Sequence, residues 1–173
     1  MAGTDIRTEG GAEAVDAERF RAALRLVPEP VAIVSTIHDG QRHGLTATAF
    51  SSVSAEPPQI LVCVNQRATS WALIRDSRRF VVNFLATEHR ALAEAFARSG
   101  GNRVEHFGQA PWSQLRSGAP VLVDAIAALD CALVQHLQVG THLILVGRVV
   151  EVALGSGEPL LYRDGGFGRF TPD

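Results

Sequence analysis

Residues 126–154 read IAALDCALVQHLQVGTHLILVGRVVEVAL. This stretch decides the fold. It divides at Gly140 into two β-type runs, about 126–139 and 141–154. In the second run both alternating sets are mostly apolar: Leu143, Leu145 and Val149 on one, Ile144, Val146 and Val150 on the other. Successive strand side chains point to opposite faces, so such a run is expected to be covered on both sides. A barrel strand overlaid by helices or by a partner subunit meets that demand.

Working outward, strands outnumber helices. Asp16 is placed to cap a first helix whose apolar face carries Phe20, Ala23, Leu24 and Val27, with Pro28 and Pro30 ending it. Val31–Thr36 and an extended run through Gly44–Phe50 flank an Asp39-Gly40 turn signal. Beyond Pro57-Pro58, Gln59–Val64 is a buried strand candidate, a short helix follows from Ser70, and Phe80–Leu85 is another strand. Thr87 is expected to cap a helix to about Arg98, closed by Gly100-Gly101. The segment from Asn102 to Pro120, which holds Trp112, reads as loop, and Pro159–Tyr162 as a last short strand before a Gly-rich tail. The order lacks regular β-α-β alternation. It predicts a mainly β, closed or nearly closed antiparallel barrel with peripheral helices. Residues 1–15 are expected to be a mobile arm and 16–173 a single domain.

Composition narrows the function. The 173 residues carry 16 basic and 18 acidic side chains, a formal charge of −2, so no basic footprint for nucleic acid exists. All the basic residues are arginine, which rules out a P-loop lysine, a Schiff-base lysine and a lysine general base. Cys63 and Cys131 lie 68 positions apart in apolar surroundings and cannot form a CxxC motif. No spanning segment and no secretory signal is legible, so a cytoplasmic protein with no membrane partner is expected. GxGxxG, GxSxG and HExxH are absent. Gly155-Ser156-Gly157 reads as a hairpin turn, and the His38/His43 pair flanking one hairpin is a weak metal candidate.

Three polar segments remain. Gly44–Ser54, GLTATAFSSVS, is a strand of small and hydroxyl side chains, with Thr46 and Thr48 on one face and Ala47 and Ala49 on the other. It suits either a flat ligand lying close to the backbone or a solvent-facing strand. Asn65–Ser70, NQRATS, sits between a strand end and a helix start. Backbone N–H groups, a positive helix end and Arg67 suit an anion there; a plain N-cap by Thr69 or Ser70 is the alternative. Gly140-Thr141-His142 enters a strand, and alternation predicts that residue 141 faces away from His142.

Taken in order, GLTATAFSSVSAEPPQILVCVNQRATS, FVVNFLA, FGQAPW, SGAPVL, VGTHLILVGRVVEV and EPLLY resemble the short-chain flavin reductases over about 18–170. The resemblance implies an FMN-binding split β-barrel, usually a homodimer. Such proteins pass hydride from NADH or NADPH to FMN or FAD and supply the reduced flavin to a partner flavin-dependent monooxygenase. It implies contacts to the flavin ring and ribityl chain from Thr46, Ala47, Thr48, Ser51 and Ser52, and to the phosphate end from Asn65, Gln66, Arg67, Thr69 and Ser70. His142 falls in the family's Gly-Asp-His signature, with Thr141 in place of Asp, on the nicotinamide side. A flavin carrier or sensor without turnover, and an oxidase of the pyridoxamine-phosphate type, are the other occupants of this barrel.

Overall fold

The computed structural model describes residues 13–98 and 103–172. Residues 1–12 of the expected arm, and the expected helix stop at Gly100-Gly101, lie outside the described residues. Helix α1 (Ala17–Arg25) begins where expected: the Asp16 carboxylate accepts from the amides of Glu18 and Arg19 at 3.0 and 2.9 Å. Its apolar face is not buried, however. Phe20 and Leu24 are 55% and 50% exposed, and no residue of α1 is buried.

Strands β1 (Glu29–Pro30), β2 (Ala32–His38) and β3 (Gln41–Ala47) follow. Asp39 and Gly40 join β2 to β3 with φ of 47° and 73°, the paired positive angles of a type I′ hairpin turn. The single strand expected through Gly44–Ser54 is in fact two. Thr48 and Ala49 interrupt it, and β4 (Phe50–Ala55) pairs with β5 (Pro58–Asn65), whereas β3 pairs with β2. Next come α2 (Thr69–Ser77), β6 (Arg79–Phe84), a 3-10 turn at Thr87–His89 and α3 (Arg90–Ala97). Thr87 does not cap this helix: the Ala86 amide donates to His89 Nδ1 at 3.1 Å.

The expected loop at 102–120 contains α4 (Arg103–Phe107) and β7 (Trp112–Gln114), which pairs with β8 (Pro120–Leu122). The long runs are β9 (Ala127–Val139) and β10 (His142–Leu154). Finally β11 (Leu160–Arg163) and β12 (Gly166–Arg169) form a hairpin about Asp164-Gly165, so the Gly-rich tail is a strand. Gly155-Ser156-Gly157 is not a hairpin turn. It carries the chain from β10 to β11, which pairs with β1 and β12 in a separate small sheet.

The large sheet runs β3-β2-β6-β9-β10-β5-β4, every pairing antiparallel. Its two edge strands, β3 and β4, are consecutive in the chain and meet at Thr48-Ala49 without pairing. The sheet therefore curls into a split barrel. Val34, Val62, Val64, Phe80, Val82, Leu133 and Leu145 point inward, with Ile74 of α2 packed among them. Gly147 is required inside: a Cβ there would come within 2.5 Å of the Phe80 ring and 2.9 Å of the Cys131 Cβ. Leu92 and Phe96 of α3 bury a second cluster with Ile33, Phe107 and Leu122.

Among the described residues only one side of β10 is fully covered. Leu143 and Leu145 are buried, whereas Ile144, Val146 and Val150 are half-buried. Ile144 stands opposite Cys63 and Leu137, and Val146 opposite Leu61, so the outer sheet face carries an apolar strip. Among the described residues no helix is long and apolar enough to cross a membrane.

Candidate functional site

The first part of the site grows from the end of β5. Asn65 Oδ1 accepts from the Arg67 amide at 2.9 Å, and the Ala68 amide donates to the Asn65 carbonyl at 2.9 Å, which closes a tight turn into α2. The N-cap is Ala68, with no side-chain cap, so neither Thr69 nor Ser70 plays the capping role open to them in the sequence. Without a side-chain cap, the start of α2 presents the positive end of the helix to this loop, and the Trp71 amide donates to the Ala68 carbonyl at 3.0 Å. Ser70 is buried and its hydroxyl donates to the Gly44 carbonyl at 3.4 Å, which ties the loop to β3. Arg67 is exposed, and its guanidinium makes no hydrogen bond or ion pair among the described residues. A phosphate fits this set of donors.

His142 lies beside that loop. It stands opposite Asn65 in the β5–β10 ladder, the Gln66 amide donates to the Thr141 carbonyl at 3.1 Å, and Gln138 Nε2 donates to Gln66 Oε1 at 3.0 Å. Thr141 does not face away from His142: its Oγ1 lies 3.0 Å from the imidazole Nδ1. Strand alternation fails because Thr141 belongs to the turn and β10 begins one residue later. A hydroxyl both donates and accepts, so it can orient either tautomer of the ring.

The second part is a cleft of about 460 Å³ beside β3. Thr46 and Thr48 form one wall, Glu94 and Arg98 near the end of α3 another, and Tyr162 and Phe167 of the β11–β12 hairpin the third. The Thr46 hydroxyl donates to the Ala93 carbonyl at 2.7 Å. Ala47 is 8% exposed and its side chain packs inside the barrel. Ser51 and Ser52 are exposed on β4, where Ser51 Oγ donates to the Ser52 carbonyl at 3.2 Å.

The structure thus brings Asn65, Gln66, Arg67, Thr69 and Ser70 together with His142. It sets Thr46 and Thr48 against the C-terminal hairpin, and turns the Ala47 side chain away from any ligand. Tyr162, Phe167 and Arg98 were not singled out from sequence as site residues. The Asp164-Gly165 pair between Tyr162 and Phe167 is a hairpin signal that would have brought the two rings together, 5.2 Å apart.

Neither thiol is activated toward the thiolate. Burial pushes Cys63 up, and burial followed by the neighbouring Asp130 pushes Cys131 up to about 12. No cluster of three or more metal-ligating side chains occurs among the described residues, and His38 lies 3.5 Å from Asp39 instead.

Residues 24–171 match the family described as the flavin reductase like domain. The reductase component of a 4-nitrophenol 4-monooxygenase/4-nitrocatechol 2-monooxygenase from Rhodococcus opacus is 38% identical over 163 residues, 91% of this chain and 83% of its own length. An FMN reductase (NADH), RutF 1, from Methylorubrum extorquens is 38% identical over 160 residues, 91% of this chain and 78% of its own. Among solved structures, the NADH:FAD oxidoreductase SgcE6 of Streptomyces globisporus, in complex with NAD and FAD fragments, superimposes with a TM-score of 0.84. It is 31% identical, and the match covers 94% of this chain and 99% of that one.

Proposed function

Because the chain belongs to the flavin reductase-like family, we propose that it is an NAD(P)H:flavin oxidoreductase that supplies reduced FMN or FAD to a partner monooxygenase. The observation that carries this reading is the uncapped start of α2 with its unpartnered Arg67, placed beside His142 on a family-matched barrel. The reaction is NAD(P)H + H⁺ + flavin → NAD(P)⁺ + reduced flavin. Nicotinamide and flavin themselves supply the hydride chemistry, which explains why no paired acid and base is needed.

The protein's residues position and shield. Asn65 shapes the turn that carries Arg67, Thr69 and Ser70 to the flavin phosphate, and Gln66 braces that turn against Thr141 and Gln138. Thr46, Thr48, Ser51 and Ser52 border the ring and ribityl chain, and Ala47 contributes only its backbone, because its side chain lies in the barrel. Directed backbone dipoles along this segment stabilise negative charge on the reduced ring. His142, held by Thr141, orients the nicotinamide.

Two further features complete the proposal. The apolar strip of Leu61, Cys63, Leu137, Ile144 and Val146 is the face of a homodimer, which covers the second side of β10. Two unpaired cysteines suit the reducing cytoplasm. The test is NADH or NADPH absorbance with and without FMN or FAD, with NADH first because relatives are named for it. Turnover of at least ~1 s⁻¹ is expected. No rate above the protein-free control refutes the reading.

A further inference from the structure

A second groove, of about 210 Å³, runs along the β11–β12 hairpin and is not used above. Arg21, Leu24 and Arg25 of α1 form one wall, and Tyr162, Arg163 and Asp164 the other. The spacing i, i+3, i+4 sets the three α1 residues on a single helix face. This groove adjoins the larger cleft: Tyr162 lines both, and the turn residues Asp164 and Gly165 line one each.

Its chemistry is specific. None of the guanidiniums of Arg21, Arg25 and Arg163 hydrogen-bonds or pairs with a carboxylate among the described residues. Two lining carboxylates, Glu29 and Asp164, leave the groove one positive charge in excess. Apolar Leu24 and Val27 and aromatic Tyr162 line the same groove. Unpaired planar cations beside an apolar, aromatic surface suit a phosphate joined to a flat base. No residue of α1 is buried among the described residues, so packing there does not account for this face.

We propose that the groove holds the adenosine-diphosphate half of the NAD(P)H donor, whose nicotinamide reaches past Tyr162 to the flavin ring bordered by Thr46 and Thr48. The inference rests on the reductase reading. The donor is preferred over FAD because the flavin phosphate is seated at Asn65–Ser70, and none of those residues lines either groove.

The test is the double variant Arg21→Ala/Arg25→Ala in the full chain. Both positions are exposed and make no contact that holds the fold, so circular dichroism should be unchanged. ADP-ribose, titrated by calorimetry, should bind the variant at least ~10-fold more weakly, the loss of a hydrogen bond to a charged group. With NADH at saturating flavin, KM should rise by the same ~10-fold, while kcat/KM for N-benzyl-1,4-dihydronicotinamide, which has neither phosphate nor adenosine, stays within ~2-fold. Unchanged ADP-ribose binding, no binding to wild type, or equal losses with the two donors overturns the proposal. Weakened FAD with intact ADP-ribose binding reassigns the groove to the flavin, and an altered oligomeric state reassigns it to a second copy; each overturns it too. If wild type reduces flavin with neither donor, the reductase reading fails and the ADP-ribose titration still decides the groove.

Discussion

Replacing Arg67 by Ala isolates the phosphate contact. The Arg67 backbone amide is held by Asn65 Oδ1 at 2.9 Å, so the turn keeps its shape when the side chain is cut back. The guanidinium has no partner among the described residues, and stability should therefore change by no more than ~0.5 kcal/mol, as at other surface positions. Binding should change far more. A charge-assisted hydrogen bond to phosphate contributes roughly 1.5–3 kcal/mol, which predicts about 10- to 150-fold weaker FMN binding. The positive end of α2 survives the substitution and should retain some ~0.3–1 kcal/mol of the attraction. Riboflavin provides the control, because it carries the same ring and ribityl chain without the phosphate. Flavin fluorescence titrations of both ligands on both proteins make the measurement. Riboflavin affinity should be unchanged, and the wild-type advantage for FMN should shrink as salt is raised. Equal losses for FMN and riboflavin would place Arg67 at the ring or in the fold, and no loss for either would remove the phosphate from this loop.

Other outcomes follow from the same geometry. His142→Ala should lower kcat/KM for NADH more than ~10-fold, about 1.4 kcal/mol, with flavin affinity unchanged, whereas Thr141→Asp, which keeps an acceptor for Nδ1–H, should stay within ~3-fold; a joint fall in thermal stability and flavin affinity would make His142 a packing residue. Ile144→Arg places a charge on the apolar strip and should turn a dimer into a monomer in sedimentation, with faster alkylation of the adjacent Cys63; a monomeric wild type refutes the interface. Cys131 keeps its proton in the folded chain up to about pH 12 but releases it near its ordinary value of 9.0 when unfolded. Its contribution to stability is thus present below pH 9 and is lost as pH rises toward 12, so Cys131→Ala should show a shallower alkaline decline in denaturant titrations.

Much of the candidate site was legible as short segments. Asn65–Ser70 could be read as a candidate anion loop because a strand end, a polar turn and a helix start are all local features. The roles inside it were not. Whether Ser70 caps a helix or bonds to Gly44 depends on a strand 26 positions away. The inward turn of the Ala47 side chain is likewise set by the curl of the sheet and not by its neighbours in sequence.

By itself the sequence determined what contacts of a few residues decide: the Asp16 cap, the Asp39-Gly40 turn, the long runs either side of Gly140, and a mainly β chain with peripheral helices. These rest on φ preferences, side-chain caps and period-2 burial, all written within a turn or a strand. Tertiary structure alone decided where GLTATAFSSVS changes partner, because either ladder satisfies the same backbone groups and only barrel closure selects between them. It also put Tyr162 across a cleft from Thr46, over a hundred positions earlier, and set the Thr141 hydroxyl against His142 by starting the strand one residue late. Alternating polarity leaves such choices open. They are made by which surfaces can be buried together.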